Sequence, residues 1–365
     1  MPWFTPAELS EDGSGEVSES TRSITDRAVK EAGLRVLPPG TVLITSRASI
    51  GHVAVTTTPA TTNQGFASLI PSSPAATWFV YNWVLAHKKQ LEVEASGSTF
   101  LEISGRKLAA YETAVPSPEE QSALGSFFSE LDALVNATSN RARSLTSLKK
   151  TMLVKMFPQG TASTPEVRFE GFEGEWGSGT LGDIGRTYTG LSGKTKEDFG
   201  HGDGRFVTYM NVFSNPVIDP SMVEPTPVDS RQNTVRNGDV LFTTSSEVPN
   251  EAGMSCVVDS VDGGVYLNSF CFGFRPNQRI ERDYWAYMLR SRSVRTQFEM
   301  MAQGISRFNI SPSRAMAVEV PLPSLPEQQA IGSYFRSLDA LSDAEQKKLA
   351  MLRNFKSALL TQMFV

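Results

Sequence analysis

A few short stretches hold residue types able to do chemistry, and spacing decides what each is worth. Gly190–Thr195 (GLSGKT) ends like a phosphate loop. The P-loop pattern needs a glycine five residues before Gly193, however, and Tyr188 stands there. His52, His87 and His201 are isolated, and Cys256 and Cys271 have no partners at metal-ligand spacing. No metal site, catalytic triad or disulfide framework is therefore expected. Asp239 and Glu247 flank a strand-like run but lack the lysine of a nuclease site, and Asn215-Pro216-Val217 is not the Asn/Asp-Pro-Pro-aromatic segment of an amino-methyltransferase. The reading is a binder with no catalytic residues, no metal and no cofactor of its own.

Hydrogen-bonding chemistry remains. The loops at 95–107 (ASGSTFLEISGRK) and 302–314 (AQGISRFNISPSR) combine hydroxyls, an amide and basic side chains. Such groups bond phosphates and the edges of bases; as ordinary turn chemistry they would need no function. The chain is acidic overall, at −5, yet eight arginines (275, 279, 282, 290, 292, 295, 307 and 314) face only Glu281, Asp283 and Glu299 between 275 and 314. That cluster is expected to meet phosphate.

These loops recur because the chain repeats. PSPEEQSALGSFFSELDAL (116–134) returns as PSLPEQQAIGSYFRSLDAL (323–341), with 12 of 19 positions identical at a constant shift of 207. The register extends to Trp78 and Trp285, Gly97 and Gly304, and Met156-Phe157 and Met363-Phe364. Upstream, PGTVLITS (39–46) resembles NGDVLFTT (237–244), and Asn63…Pro71 resembles Asn268…Pro276. The chain is two copies of one unit. Runs at 41–57 and 239–246 are β-branched or alternating, as strands are. Residues 78–93 and 283–301 read as helices, and 157–176 as a linker.

Each copy ends in a long helix opened by proline and glutamate. Heptads with Leu124 at position a give an interface of Leu124, Phe127, Leu131, Leu134, Arg141, Leu145 and Leu148. The second copy gives Ile331, Tyr334, Leu338, Leu341, Glu345, Leu352 and Phe355. A stripe so narrow needs a partner helix. If the two run antiparallel, their polar middles meet and Arg141 faces Glu345. Each rod is then about 58 Å long. The expected fold class is α+β: two α/β domains separated by two antiparallel coiled-coil helices in a pseudo-twofold repeat. Boundaries fall at 1–115, 116–158, 159–322 and 323–365. Two readers on equal rods suit a long partner with two sites, and duplex DNA is the candidate. No apolar run would span a membrane and no signal peptide is evident, so a cytoplasmic location is expected.

The doubled helix motifs, with LVKMF (153–157) and LLTQMF (359–364), resemble the conserved regions of type I restriction–modification specificity subunits. VRFEGFEGEWGSGTLGDI (167–184), NGDVLFTTSSEVPNEAG, YLNSFCFGFRP, PGTVLITSRASIG and TNQGF resemble their target recognition domains. The resemblance implies one recognition domain per half of a split double-stranded DNA target, with the helices docking two modification subunits. Those subunits would bring S-adenosylmethionine and methylate adenine N6; restriction subunits would bring ATP and Mg2+. By loop position and chemistry, the candidate readers are Ser46, Arg47, Asn63, Gln64, Ser98, Arg106 and Lys107, then Ser245, Ser246, Asn268, Arg307, Asn309 and Arg314. The second copy also has a lead-in, about Phe169–Arg205, that the first copy lacks. The first recognition domain is expected to be shortened, with an unpaired sheet edge. Two rival readings stay open, a stand-alone DNA-acting enzyme and a coiled-coil scaffold that binds only protein; a truncated or recombined subunit with an impaired first half-site is a third.

Overall fold

The computed structural model describes all residues except Asp12, Ser14, Ala48, 96–101 and Val365. The chain forms two units, Met1–Arg141 with Glu345–Val365, and Ala142–Ala344. The expected boundaries made each long helix a separate segment. Each unit contains part of both long helices, which divide at Arg141 and at Ala344.

In unit 1, Val42–Ile44 and Val53–Thr56 form an antiparallel pair whose residues are all buried. Burial on both faces explains the unbroken apolar run. Glu16–Val17 adds in parallel to the second strand, and isolated bridges join Val42 to Leu69 and Thr45 to Phe66. Helix Thr77–Glu94 packs Phe79, Tyr81, Trp83 and Val84 against this sheet.

Unit 2 repeats that core. Strand Val240–Thr243 pairs antiparallel with Ser255–Val257 on one side and Cys271–Pro276 on the other. A parallel bridge from Val217 to Val257 stands where Glu16–Val17 stands in unit 1. Unit 2 extends further: Gly185–Thr189 covers the outer edge of Cys271–Pro276, and Gly177–Thr180 pairs with Glu319–Leu322. A second sheet orders Val265–Leu267, Gly204–Val207 and Val223–Thr226. The helix expected over 283–301 is broken into Arg282–Met288 and Arg292–Met301. At the break, the Arg290 guanidinium donates to the carbonyls of Val212, Phe213, Asn215 and Ser255.

The rods are Pro118–Lys155 and Leu325–Met363. In unit 1 they run antiparallel, with Asp132 at 2.5 Å from Lys356 and Arg141 at 3.0 Å from Glu345. In unit 2 they do so again, joined by the pair Lys149–Asp339. The seam, however, has a different phase from the one expected. Leu124, Phe128, Leu131, Thr138 and Ala142 are buried on the first rod, and Ile331, Phe335, Leu338 and Leu349 on the second. Leu145 and Leu352 pack partly buried against their unit's core, and Tyr334 does so beside Phe335. Phe127, Leu134, Leu148, Leu341 and Phe355 are exposed instead. Arg141 lies at the rim, 67% exposed, and reaches a largely buried Glu345. Neighbouring apolar residues at 127–128, 134–135 and 334–335 permit a 3-4 or a 4-3 spacing, so periodicity alone cannot choose.

Candidate nucleic-acid interface

In unit 2 the chain leaves the buried strand Val240–Thr243 and forms a two-residue strand, Ser245–Ser246, paired with Phe308–Asn309. This ladder unites two loops some sixty residues apart in sequence. Thr244 secures the bend, its N–H and hydroxyl both donating to the Phe270 carbonyl at 2.9 and 2.7 Å. The Tyr209 hydroxyl donates to the Ser245 carbonyl at 2.7 Å. Together they frame a cavity of about 320 Å³ lined by Tyr209, Met210, Phe213, Ser245, Ser246, Glu247, Glu251, Phe270 and Arg307. Phe270 is 57% exposed and Ile305, two residues before Arg307, is 98% exposed. Apolar side chains held in water beside a guanidinium can contact base edges and thymine methyls.

The two serines hold this loop. Both are buried, and the Ser246 hydroxyl donates to Glu251 at 3.0 Å. Asn268 accepts from the Phe270 N–H at 2.8 Å and thereby aims Phe270 outward. Arg307, Asn309 and Arg314 are exposed. Among the described residues, no carboxylate pairs with Arg307 or Arg314; Arg314 donates to the Met301 carbonyl at 3.3 Å.

Unit 1 shows the same division. Ser46 is buried, its N–H donating to the Gly65 carbonyl and its carbonyl accepting from Ile103. Asn63 accepts from the Gly65 N–H at 2.9 Å. Gln64 and Arg106 are exposed. Arg47 pairs with Glu102 at 2.9 Å, and Lys107 donates to the Glu94 carbonyl at 2.5 Å. Ser98 lies outside the described residues.

The arginine cluster proves to be of two kinds. Arg275 donates two hydrogen bonds to the Asp239 carboxylate at 2.7 and 2.8 Å, and Arg282 pairs with Asp259. Arg290 and Arg295 are half-buried among carbonyls, and loss of water around them draws each guanidinium down to about 10. These four are structural. Arg279, Arg292, Arg307 and Arg314 are exposed, so local charge overstated the cations available to a phosphate. Sequence reasoning also missed Tyr209, Met210, Phe213 and Phe270. The signal for Phe270 was an aromatic two residues after a turn-forming asparagine.

Among the described residues no three acids, cysteines or histidines gather as a metal site, and no helix is long and apolar enough to cross a membrane.

Known proteins resemble this chain throughout. Residues 1–146 and 173–354 match the family described as type I restriction modification DNA specificity domain. Along its whole length the chain is 26% identical to the type I restriction enzyme MjaIX specificity subunit of Methanocaldococcus jannaschii, covering 85% of that protein. Its fold is similar to the crystal structure of the type I restriction–modification S subunit from M. genitalium. The TM-score is 0.57 at 15% identity, over 100% of this chain and 92% of that one. A second solved structure, from work on assembly and conformational transition of the type I R-M system, gives 0.55 at 18% identity over 90% and 83%.

Proposed function

The chain belongs to the type I restriction modification DNA specificity family, and from that premise we propose how its two units divide the reading of a split duplex target. Unit 2 reads one half-site with Arg307, Asn309 and Arg314, while exposed Phe270 and Met210 supply apolar contact to bases. Unit 1 reads the other with Arg47, Gln64, Arg106 and Lys107. Ser46, Asn63, Ser245, Ser246 and Asn268 position those loops; Ser98 belongs to the unit 1 loop by sequence.

What chiefly supports this reading is Arg307, an exposed guanidinium without a carboxylate partner at the rim of an aromatic-lined cavity. A guanidinium free of carboxylates retains its paired donors for guanine O6 and N7, worth ~1–3 kcal/mol of discrimination. The outward apolar side chains of the rods, Phe127, Leu134, Phe355 and Leu341, are the surfaces on which two modification subunits dock. Those subunits would supply S-adenosylmethionine and transfer its methyl group to adenine N6, with the base flipped out of the duplex. Restriction subunits would bring ATP and Mg2+, and the assembly would act in the cytoplasm. This chain's part is to bind, orient and select.

Purified modification subunits provide the test. Sequence-specific adenine methylation is expected only when this chain is added. Arg307→Ala should relax one half-site and leave the other intact. Activity of the chain alone would favour a stand-alone enzyme, and uniform weakening on all sequences would make Arg307 a phosphate contact.

A further inference from the structure

Between the strands Ser245–Ser246 and Ser255–Val257, Pro249 opens a single 3-10 turn, Pro249–Glu251. The Arg295 guanidinium donates to the carbonyls of Asn250 and Gly253, at 3.0 and 2.6 Å, on either side of Glu251. The backbone of Glu251 is thereby pinned, and its side chain lines the same cavity as Tyr209, Phe270 and Arg307. The Ser246 hydroxyl donates to Glu251 Oε2 at 3.0 Å and accepts from the Val248 N–H at 3.4 Å. Among the described residues Oε1 meets no donor, and neither Glu251 nor Glu247 pairs with a cation.

Unit 1 treats the equivalent loop differently. There the ladder places Arg47 opposite Glu102, as unit 2 places Ser245 opposite Asn309. Arg47 and Glu102 neutralise each other at 2.9 Å. In unit 2 the ladder pair is uncharged, and a carboxylate and a guanidinium without ionic partners remain at one cavity. The loop in unit 2 is also four residues longer, 246–254 against 48–52, and that length accommodates the turn bearing Glu251.

A carboxylate on a surface that meets duplex DNA repels phosphates. It also repels guanine O6 and N7 and thymine O4, which are acceptors like itself. What it can bond is an exocyclic amino group, cytosine N4 or adenine N6. Adenine carries the acceptor N7 beside N6, whereas the neighbour of N4 in cytosine is a C–H. A carboxylate held in place therefore favours cytosine. Arg307, at the same cavity, has the paired donors for guanine O6 and N7. Together the two side chains complement both bases of a G·C pair.

We propose that Glu251 is a specificity-determining residue: it accepts from cytosine N4 in the half-site of unit 2, and with Arg307 it selects a G·C pair there. The inference rests on unit 2 reading DNA through this cavity.

The test is binding of target duplexes by this chain assembled with purified modification subunits. The half-site relaxed by Arg307→Ala is the one belonging to unit 2. Each cytosine in it is replaced in turn by 2-pyrimidinone, which lacks the amino group, and each adenine other than the methylated one by purine. At one cytosine the replacement should weaken binding by the natural chain about tenfold or more, and by a Glu251→Ala chain less than about threefold. Glu251→Gln, which keeps the shape and can turn a donor toward the base, should admit thymine at that position. Recognition of the other half-site shows that each variant is folded, and the natural chain alone must show the cytosine effect. A unit 2 half-site without such a cytosine overturns the proposal. So does equal weakening of the natural and Glu251→Ala chains at every position, or coupling of Glu251 to an adenine instead. If neither Arg307→Ala nor Phe270→Ala relaxes a half-site, the reading of unit 2 through this cavity fails as well; if Arg307→Ala does so and no base couples to Glu251, this inference alone fails.

Discussion

Replacing Phe128 by alanine and, separately, Phe127 by alanine separates the two faces of the first rod. Phe128 is fully buried, with the Phe364 ring 5.6 Å away and the Phe127 ring 5.3 Å away. Truncating such a residue costs ~3–5 kcal/mol in lost transfer energy and residual cavity. Phe127 is 42% exposed, so its truncation should cost under ~1 kcal/mol. Unit 1 contains about 160 residues. At ~2.1 cal/mol/K per residue its unfolding entropy is roughly 0.34 kcal/mol/K, so ~4 kcal/mol lowers its Tm by ~12 °C. Calorimetry on the full chain should show the unit 1 transition falling by that amount for Phe128→Ala and by no more than ~3 °C for Phe127→Ala. Phe127→Ala should instead weaken capture of modification subunits. Equal losses of Tm, or a larger loss for Phe127→Ala, would refute the assigned seam.

Arg290→Ala should destabilise unit 2 by about 3 kcal/mol, because four carbonyls lose a half-buried charged donor. Arg292→Ala, two residues on and exposed, should change stability by less than ~0.5 kcal/mol; similar effects in urea melts would show that the guanidinium is not structural. Cys256 and Cys271 are buried, and burial pushes the Cys256 thiol up to about 12 and the Cys271 thiol higher still. Both should stay protonated and unreactive to a thiol reagent at mildly alkaline pH until the chain unfolds, and rapid titration of either in the native state would contradict the packing.

Much of the architecture was legible in the sequence because a repeat and a heptad period are local, one-dimensional properties. The 207-residue shift marked two copies of a unit. Polar residues midway along each stripe implied an antiparallel match, and Arg141 does stand 3.0 Å from Glu345. The β-branched runs at 41–57 and 239–246 became the buried strands of both cores. The face of each rod could not be read in the same way. Phe127 and Phe128 are equally apolar, and it is the core containing Phe79 and the distant Phe364 that selects one. Arginine density was visible, but whether an arginine serves a carbonyl, a carboxylate or solvent depends on distant groups. Arg290 meets the carbonyls of Val212, Phe213 and Asn215, whereas Arg307 is exposed. Likewise, serines marked the candidate loops, but the ladder to Phe308–Asn309 turned them inward and left Phe270 and Arg307 at the surface. Period and composition set which elements form; the partner of each side chain is a long-range contact, and only the folded chain decides it.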